Sequence, residues 1–263
     1  MVSVAVASEQ QLEGEVTDSL LKYIELDGKA PKHTLDTFST DHKNYHDAAI
    51  LLNTDIVLVD FDKFTDISEL IYQKYPTLRV HTSRGYHLYY RKPKGVVIKN
   101  WIQRLTNAGV TVDYKTGSKS LSVVKQNGQM RPMDHGELMG DWDRLPDLPF
   151  ELYPHRLKQL LHGLNDGDGR NSYMYSHLLT MREIYPKKAD TKTISDVAHF
   201  INDNVLGDPL KEIDTVVDSA MSKKVDEKSS WLDPKDMVIT SNYLVKELDI
   251  HYFRGRLFFK KDN

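Results

Sequence analysis

The 263 residues contain no cysteine. Without thiols there is neither a disulfide framework nor a thiolate zinc site, so no zinc is expected and the fold has to rest on its apolar core. No run of about 18 apolar residues is present, and no basic stretch leads into an apolar one; a soluble, cytoplasmic protein without membrane contact is the expectation. A Gly-x-x-x-x-Gly-Lys-Ser/Thr loop is also missing, so no ATPase motor is expected in this chain. A large excess of charge of one sign is lacking as well. The formal net charge of −3 by itself says nothing in favour of nucleic acid. The length suffices for one medium domain and one small one, at about 100 to 200 residues per domain.

Against these absences stands the run Thr54-Asp55-Ile56-Val57-Leu58-Val59-Asp60-Phe61-Asp62. Its apolar stretch reads as an inner strand, and residues two apart on a strand share a face, so the Asp60 and Asp62 carboxylates point the same way. Two like charges at that spacing repel unless a cation lies between them, and oxygen donors favour a hard ion such as Mg2+ or Mn2+. The plainer alternative is a pair of turn acids capping the next helix.

Two further segments bear on that choice. Arg79 to Tyr90 reads as two strands joined by a tight turn at Ser83-Arg84-Gly85, with His87 and Tyr89 on one face. Val110 to Lys115 reads as a short strand entered from Gly109, and its lone acid, Asp113, requires a cation. Taken singly, His87 is an ordinary strand histidine, and Ser83 with Arg84 an ordinary polar hairpin tip.

The order Asp-x-Asp, Ser-Arg-Gly-Tyr-His, apolar-Asp resembles the three motifs of the archaeo-eukaryotic primase superfamily, in particular the primase-polymerase domains of phages and plasmids. The resemblance implies an α/β (α+β) catalytic core with a mixed sheet, followed by a small all-α helical domain. It implies Asp60, Asp62 and Asp113 as catalytic acids holding two Mg2+ or Mn2+ ions. Ser83, Arg84 and His87 would meet the nucleotide triphosphate, and the Gly117-Ser118-Lys119-Ser120 turn, with Lys115 and Lys119, would face triphosphate or template. The implied activity is template-dependent nucleotidyl transfer from NTP or dNTP on single-stranded DNA, making and extending primers in phage or mobile-element replication within a bacterial host. Lys29-Ala30-Pro31 resembles the Lys-x-Pro element found upstream of the first motif. Two other readings compete. Asp113-Tyr114-Lys115 also resembles the acid-x-Lys strand of metal-dependent nucleases, a fold that gives no role to Ser83 through His87. The other is a catalytically inactive module that binds nucleic acid or nucleotide.

Charge is distributed unevenly. Residues 79 to 131 hold eleven Lys or Arg against the single acid Asp113, while the remainder holds 24 basic and 37 acidic residues. A segment of +10 thus faces a balance of −13, the asymmetry expected of a phosphate-binding surface on an acidic protein.

Along the chain, residues 9 to 27 suggest a helix with apolar positions Leu12, Val16, Leu20, Leu21 and Ile24, broken at Gly28 to Lys32. Asp66 to Tyr75 and Trp101 to Asn107 read as short helices. Lys119 to Lys125 and Gln129 to Met133 read as strands about the Asn127-Gly128 turn. The catalytic domain, residues 1 to 150, is expected to end at the proline-rich stretch Pro146 to Pro154. Three helices are expected over 155 to 225, the first with apolar positions Tyr173, Tyr175, Leu178, Leu179 and Met181. There Arg170, Asn171 and Tyr175 would hold template and initiating nucleotide. Residues 226 to 263, with a helix at Tyr243 to Val245 and strands at His251 to Phe253 and Leu257 to Phe259, resemble the lead-in to a helicase, either fused or separate.

Overall fold

The structure, a computed structural model, describes residues 21 to 224 and the backbone of 250 to 253 and 256 to 259. The fold is α+β, with a five-stranded sheet, a six-stranded sheet, a separate two-stranded pair and four α-helices among the described residues. Two compact units divide the chain. The first comprises Met1–Asn100 and Tyr114–Asp147, the second Trp101–Asp113 and Leu148–Asn263.

In the first unit, β1 (Tyr23–Asp27) turns through Gly28 and Lys29 into β2 (Ala30–Pro31), and β3 (Ala48–Leu51) pairs with β1 on its other side. The helix expected over 9 to 27 is therefore a strand at Tyr23–Asp27, while residues 9 to 20 lie outside the described residues. Apolar spacing alone misled here: the Tyr23, Ile24 and Leu26 side chains are buried on both faces of an inner strand, and such a run carries no helix-specific period. Next come β4 (Ile56–Phe61), α1 (Asp66–Lys74), β5 (Arg79–His81) and β6 (Tyr86–Arg91). Helix α1 begins at a reciprocal cap, in which the Ser68 N–H donates to Thr65 Oγ1 at 3.1 Å and the Thr65 N–H donates to Ser68 Oγ at 2.9 Å. It carries the chain from β4 to β5, and β6 inserts antiparallel between them.

After β7 (Trp101–Leu105) and β8 (Thr111–Thr116), β9 (Leu121–Gln126) turns at Asn127 and Gly128, both at positive φ, into β10 (Gln129–Met130), and β11 (Met133–Asp134) follows. One sheet runs β10-β9-β3-β1-β2. The other runs β11-β5-β6-β4, with the Tyr114–Thr116 end of β8 next to β4. The two sheets share a core of Ile50, Ile56, Leu58, Val80, Tyr89 and Val124 among others, each aliphatic side chain contributing roughly 1.5–3 kcal/mol by its burial. Strand alternation then fixes three polar residues on the faces that build this core. Asp60 is in line with Ile56 and Leu58, His87 with Tyr89, and Ser122 with Val124.

The second unit holds β7 and the Thr111–Asp113 start of β8, then α2 (Arg170–Ile184), α3 (Thr191–Asn204) and α4 (Ile213–Ser222). The helix expected at Trp101 to Asn107 is instead strand β7, within which Gln103 has a φ of +52°. Ile102 there is 81% exposed while Leu105 is buried, so the apolar residues of this segment do not form one buried helical stripe. Helix α3 opens at Asp190, which accepts the Thr193 N–H at 2.7 Å, and buries Ile194, Val197, Ala198 and Ile201. Helix α2 buries Met174, His177, Leu178 and Met181, whereas Tyr173 is exposed and Tyr175 and Leu179 only half-buried. The stripe is thus rotated from the expected one, because a histidine serves as one of its inward positions.

That histidine stacks on another. The His155 and His177 rings are parallel within 14° with centroids 3.9 Å apart, and both residues are buried. Strands β12 (Ile250–Phe253) and β13 (Arg256–Phe259) pair antiparallel. The helix expected at Tyr243 to Val245 lies outside the described residues. Among the described residues no helix is long and apolar enough to cross a membrane.

Candidate functional site

Strands β4 and β6 pair in a register that sets Asp60 directly opposite His87 and Phe61 opposite Tyr86. The Ser83-Arg84-Gly85 turn is closed by Thr82, whose N–H donates to the Gly85 carbonyl at 2.9 Å and whose Oγ1 accepts the Gly85 N–H at 3.0 Å. Beyond Phe61 the chain bends, and the Phe64 N–H donates to the Arg84 carbonyl at 2.9 Å. Gly85 makes this closeness possible. A Cβ on it would stand 1.8 Å from the Phe61 carbonyl oxygen, nearer than any side chain permits. The segment carrying Asp62 and the turn carrying Ser83 and Arg84 are thereby fastened together, with all three side chains exposed.

Asp60 is different, because it faces inward. Lys115 Nζ donates to Asp60 Oδ2 at 2.8 Å, and His87 Nε2 stands 3.4 Å from the same oxygen. Burial opposes ionisation of Asp60, yet hydrogen bonding and charge from His87 and Lys115 outweigh it and hold the carboxyl down at about 2. His87 is 5% exposed, and burial pushes its pKa below the ordinary value despite the neighbouring carboxylate, so the ring is neutral at pH 7. Its Nδ1 lies 3.1 Å from Ser122 Oγ, and Ser122 is in turn hydrogen-bonded to the Tyr89 hydroxyl. Thr116 Oγ1, donating to the Ile56 carbonyl at 2.8 Å, secures this end of β8 against β4 and so presents Lys115.

The result is a continuous polar chain, Lys115–Asp60–His87–Ser122–Tyr89, at the margin of the inter-sheet core. Ser122 was missed by sequence reasoning. Its signal is a lone hydroxyl two residues from Val124 on an inner strand, a position where a polar group needs a partner. Although Asp, His and Ser are in series, Ser122 is fully buried and no attacking nucleophile.

Asp113 belongs to the second unit, where its Oδ1 accepts the Gln103 N–H at 2.8 Å. Lys119 is exposed in the Gly117–Ser120 turn, and Lys29 is exposed at the β1–β2 turn of the other sheet. In the second unit, Arg170 is committed elsewhere: it pairs with Asp166 at 2.8 Å and Asp208 at 2.6 Å and donates to the Pro209 carbonyl at 3.1 Å. Asn171 and Tyr175 line a cavity of about 310 Å3 with Thr215 and Ser219 of α4.

Of the eleven basic residues in 79 to 131, at least six are drawn into the structure, Arg104 by lying over the Trp101 ring at 4.9 Å and five others by polar contacts. Arg79 pairs with Glu69 and Asp134, Arg91 with Asp147 and Lys115 with Asp60; Lys125 and Arg131 donate to backbone carbonyls. Arg84, Lys94 and Lys119 are exposed. Counting charges along the sequence cannot separate these groups, since the partners lie up to 83 residues away, as the His42 carbonyl does from Lys125.

A carboxylate-only donor pair, Asp60 and Asp62, suits the oxygen preference of Mg2+ or Mn2+. Among the described residues no three His, Asp or Glu side chains converge into a ligand set, and the cation Asp60 has is the Lys115 ammonium. No family model matches the chain, and no curated protein matches it.

Proposed function

We propose that this chain is a primase-polymerase, a template-dependent nucleotidyltransferase that makes and extends primers on single-stranded DNA from NTPs or dNTPs. The observation that carries the reading is the register of β4 and β6. It sets the first-motif acid Asp60 against the second-motif His87, while Gly85 fastens Ser83 and Arg84 to the segment bearing Asp62. Two separate stretches of sequence that carry the first two motifs of the resemblance are thus neighbours on adjacent inner strands of one sheet, which supports the reading.

In this proposal Arg84 supplies a planar, permanently charged fork for triphosphate oxygens, and Ser83 an additional donor. His87 gives Nε2–H as a directed donor, and Lys115 and Lys119 act as point charges. Asp60 and Asp62 would hold Mg2+ or Mn2+, which when bound neutralises charge developing on the transferred phosphoryl group, and Asp113 keeps the third-motif role that the resemblance implies for it. Lys115 has to yield its place on Asp60 for that to occur.

The test supplies the full chain with a single-stranded template, labelled NTPs and dNTPs, and Mg2+ or Mn2+. Template-dependent products, lost on Asp60→Asn and Asp62→Asn, are the expected result. Cleavage of labelled single strands without incorporation would instead identify a nuclease. A second reading, a binding module without catalysis, is favoured by the Lys115–Asp60 ion pair. Retained nucleotide or single-strand binding with no incorporation under any metal would establish it.

A further inference from the structure

The His87 ring is held from both sides, and the direction of each hydrogen bond follows from proton counting. Tyr89 is buried, which raises its phenol above the ordinary range, so it keeps its proton. The Tyr89 hydroxyl contacts Ser122 Oγ, and Ser122 Oγ lies 3.1 Å from His87 Nδ1. Each hydroxyl has one proton to give. If Nδ1 carried the imidazole proton, Ser122 would accept it and donate to Tyr89, leaving the phenol proton to find another acceptor. Nε2 would then turn a lone pair towards the ionised Asp60 carboxylate 3.4 Å away. Both consequences are unfavourable. The opposite direction satisfies every group: Tyr89 donates to Ser122, Ser122 donates to Nδ1, and Nε2–H faces Asp60.

We propose that Ser122 and Tyr89 are positioning residues which, together with Asp60, lock His87 in the Nε2–H tautomer and fix the plane of its ring, so that it serves as a hydrogen-bond donor at the edge of the site. This rests on the nucleotidyl-transfer reading only for what the donor meets, namely a triphosphate oxygen. Asp60 at 3.4 Å is a long partner for an N–H, so the proton is available to a closer acceptor. Neither positioning residue touches that acceptor in this account. Both are buried and act through the imidazole.

The experiment is a long-range proton–nitrogen correlation spectrum of the full, metal-free chain with 15N-labelled histidine. His87 is expected in the Nε2–H pattern, with the Nδ1 resonance displaced by the Ser122 hydroxyl. Ser122→Ala should move Nδ1 to the position of an unbonded acceptor and Ser122→Thr should restore it, while Tyr89→Phe should give a smaller displacement in the same direction. An Nδ1–H pattern in the wild-type protein overturns the proposal without any variant having to fold. So do ring resonances unchanged in Ser122→Ala. Binding of ATP and dATP with Mn2+ forms a separate arm, in which Ser122→Ala should lose about tenfold in affinity, the worth of one well-placed hydrogen bond. A wild-type chain with the expected tautomer that binds neither nucleotide refutes the functional reading and upholds the tautomer lock.

Discussion

Acidification to pH 4.5 should weaken the second unit through its stacked histidines, by an amount that follows from their surroundings. His177 Nε2 lies 2.8 Å from the Asn107 carbonyl, which can only accept, so the proton of the neutral ring is on Nε2. Its Nδ1 is buried without a partner among the described residues. His155 uses both nitrogens, Nε2 towards the His177 carbonyl at 3.2 Å and Nδ1 accepting the Leu157 N–H at 3.2 Å. A proton added to His155 would face that N–H, and one added to His177 would have nothing to bond. The charges near the pair are Arg104 and Arg156, both of which oppose protonation of His155.

Burial carries the His177 pKa from its ordinary 6.5 down to about 4, and burial together with the charge of His177 carries His155 well below its own ordinary value. The unfolded chain therefore binds more protons than the folded one between these limits. Stability is complete above pH 6.5 and falls as pH is lowered towards 4. Between pH 7 and 4.5 His177 alone should cost roughly 2 kcal/mol, about 1 M in the urea midpoint for a slope of about 2 kcal/mol per molar. The assay is urea unfolding at both pH values followed by far-ultraviolet circular dichroism, comparing wild type with His177→Gln, whose amide can still donate to Asn107. The variant should lose less stability on acidification by that margin. His87 cancels in the comparison, and Asp60, depressed to about 2, titrates below the window. Equal acid sensitivity of the two proteins would refute the reasoning.

Asp60→Ala should destabilise the metal-free chain by about 1–3 kcal/mol, because it removes the acceptor of a buried imidazole N–H and the partner of Lys115; a melting temperature at or above wild type would contradict this. The sequence alone suggests the reverse, relief of repulsion between Asp60 and Asp62, and the Lys115 ammonium is what overturns that expectation. Gly85→Ala should cost at least about 3 kcal/mol by forcing the turn off Phe61, and a soluble variant with unchanged melting would refute the close approach. Lys115→Met should raise the affinity for Mn2+ severalfold, read by electron paramagnetic resonance of the free ion, since the competing cation is gone. No change, or a fall, would remove Asp60 from any metal site.

Local signals carried a good part of this structure. The apolar run before Asp60, the turn at Ser83 to Gly85, the Asn127-Gly128 hairpin and the caps and stripes of α1 and α3 all follow from backbone periods and turn chemistry within a few residues. The same signals failed at Tyr23–Asp27 and Trp101–Leu105. A strand buried on both faces has no period to read, and at Trp101–Leu105 Gln103 takes a positive φ with its N–H bonded to Asp113, a partner ten residues away.

Within the candidate site the sequence by itself determined the inventory, namely an Asp-x-Asp strand end, a Ser-Arg-Gly turn two residues before a histidine, and a Lys two residues after an acid. Only the tertiary structure decided the pairings. Lys115 reaches Asp60 across 55 residues and Ser122 reaches His87 across 35, so their proximity depends on strand register and on how two sheets face each other. A buried charge or hydroxyl must be matched by whichever group the fold brings to it. The sequence names the groups that need partners, and the packing of the sheets chooses them.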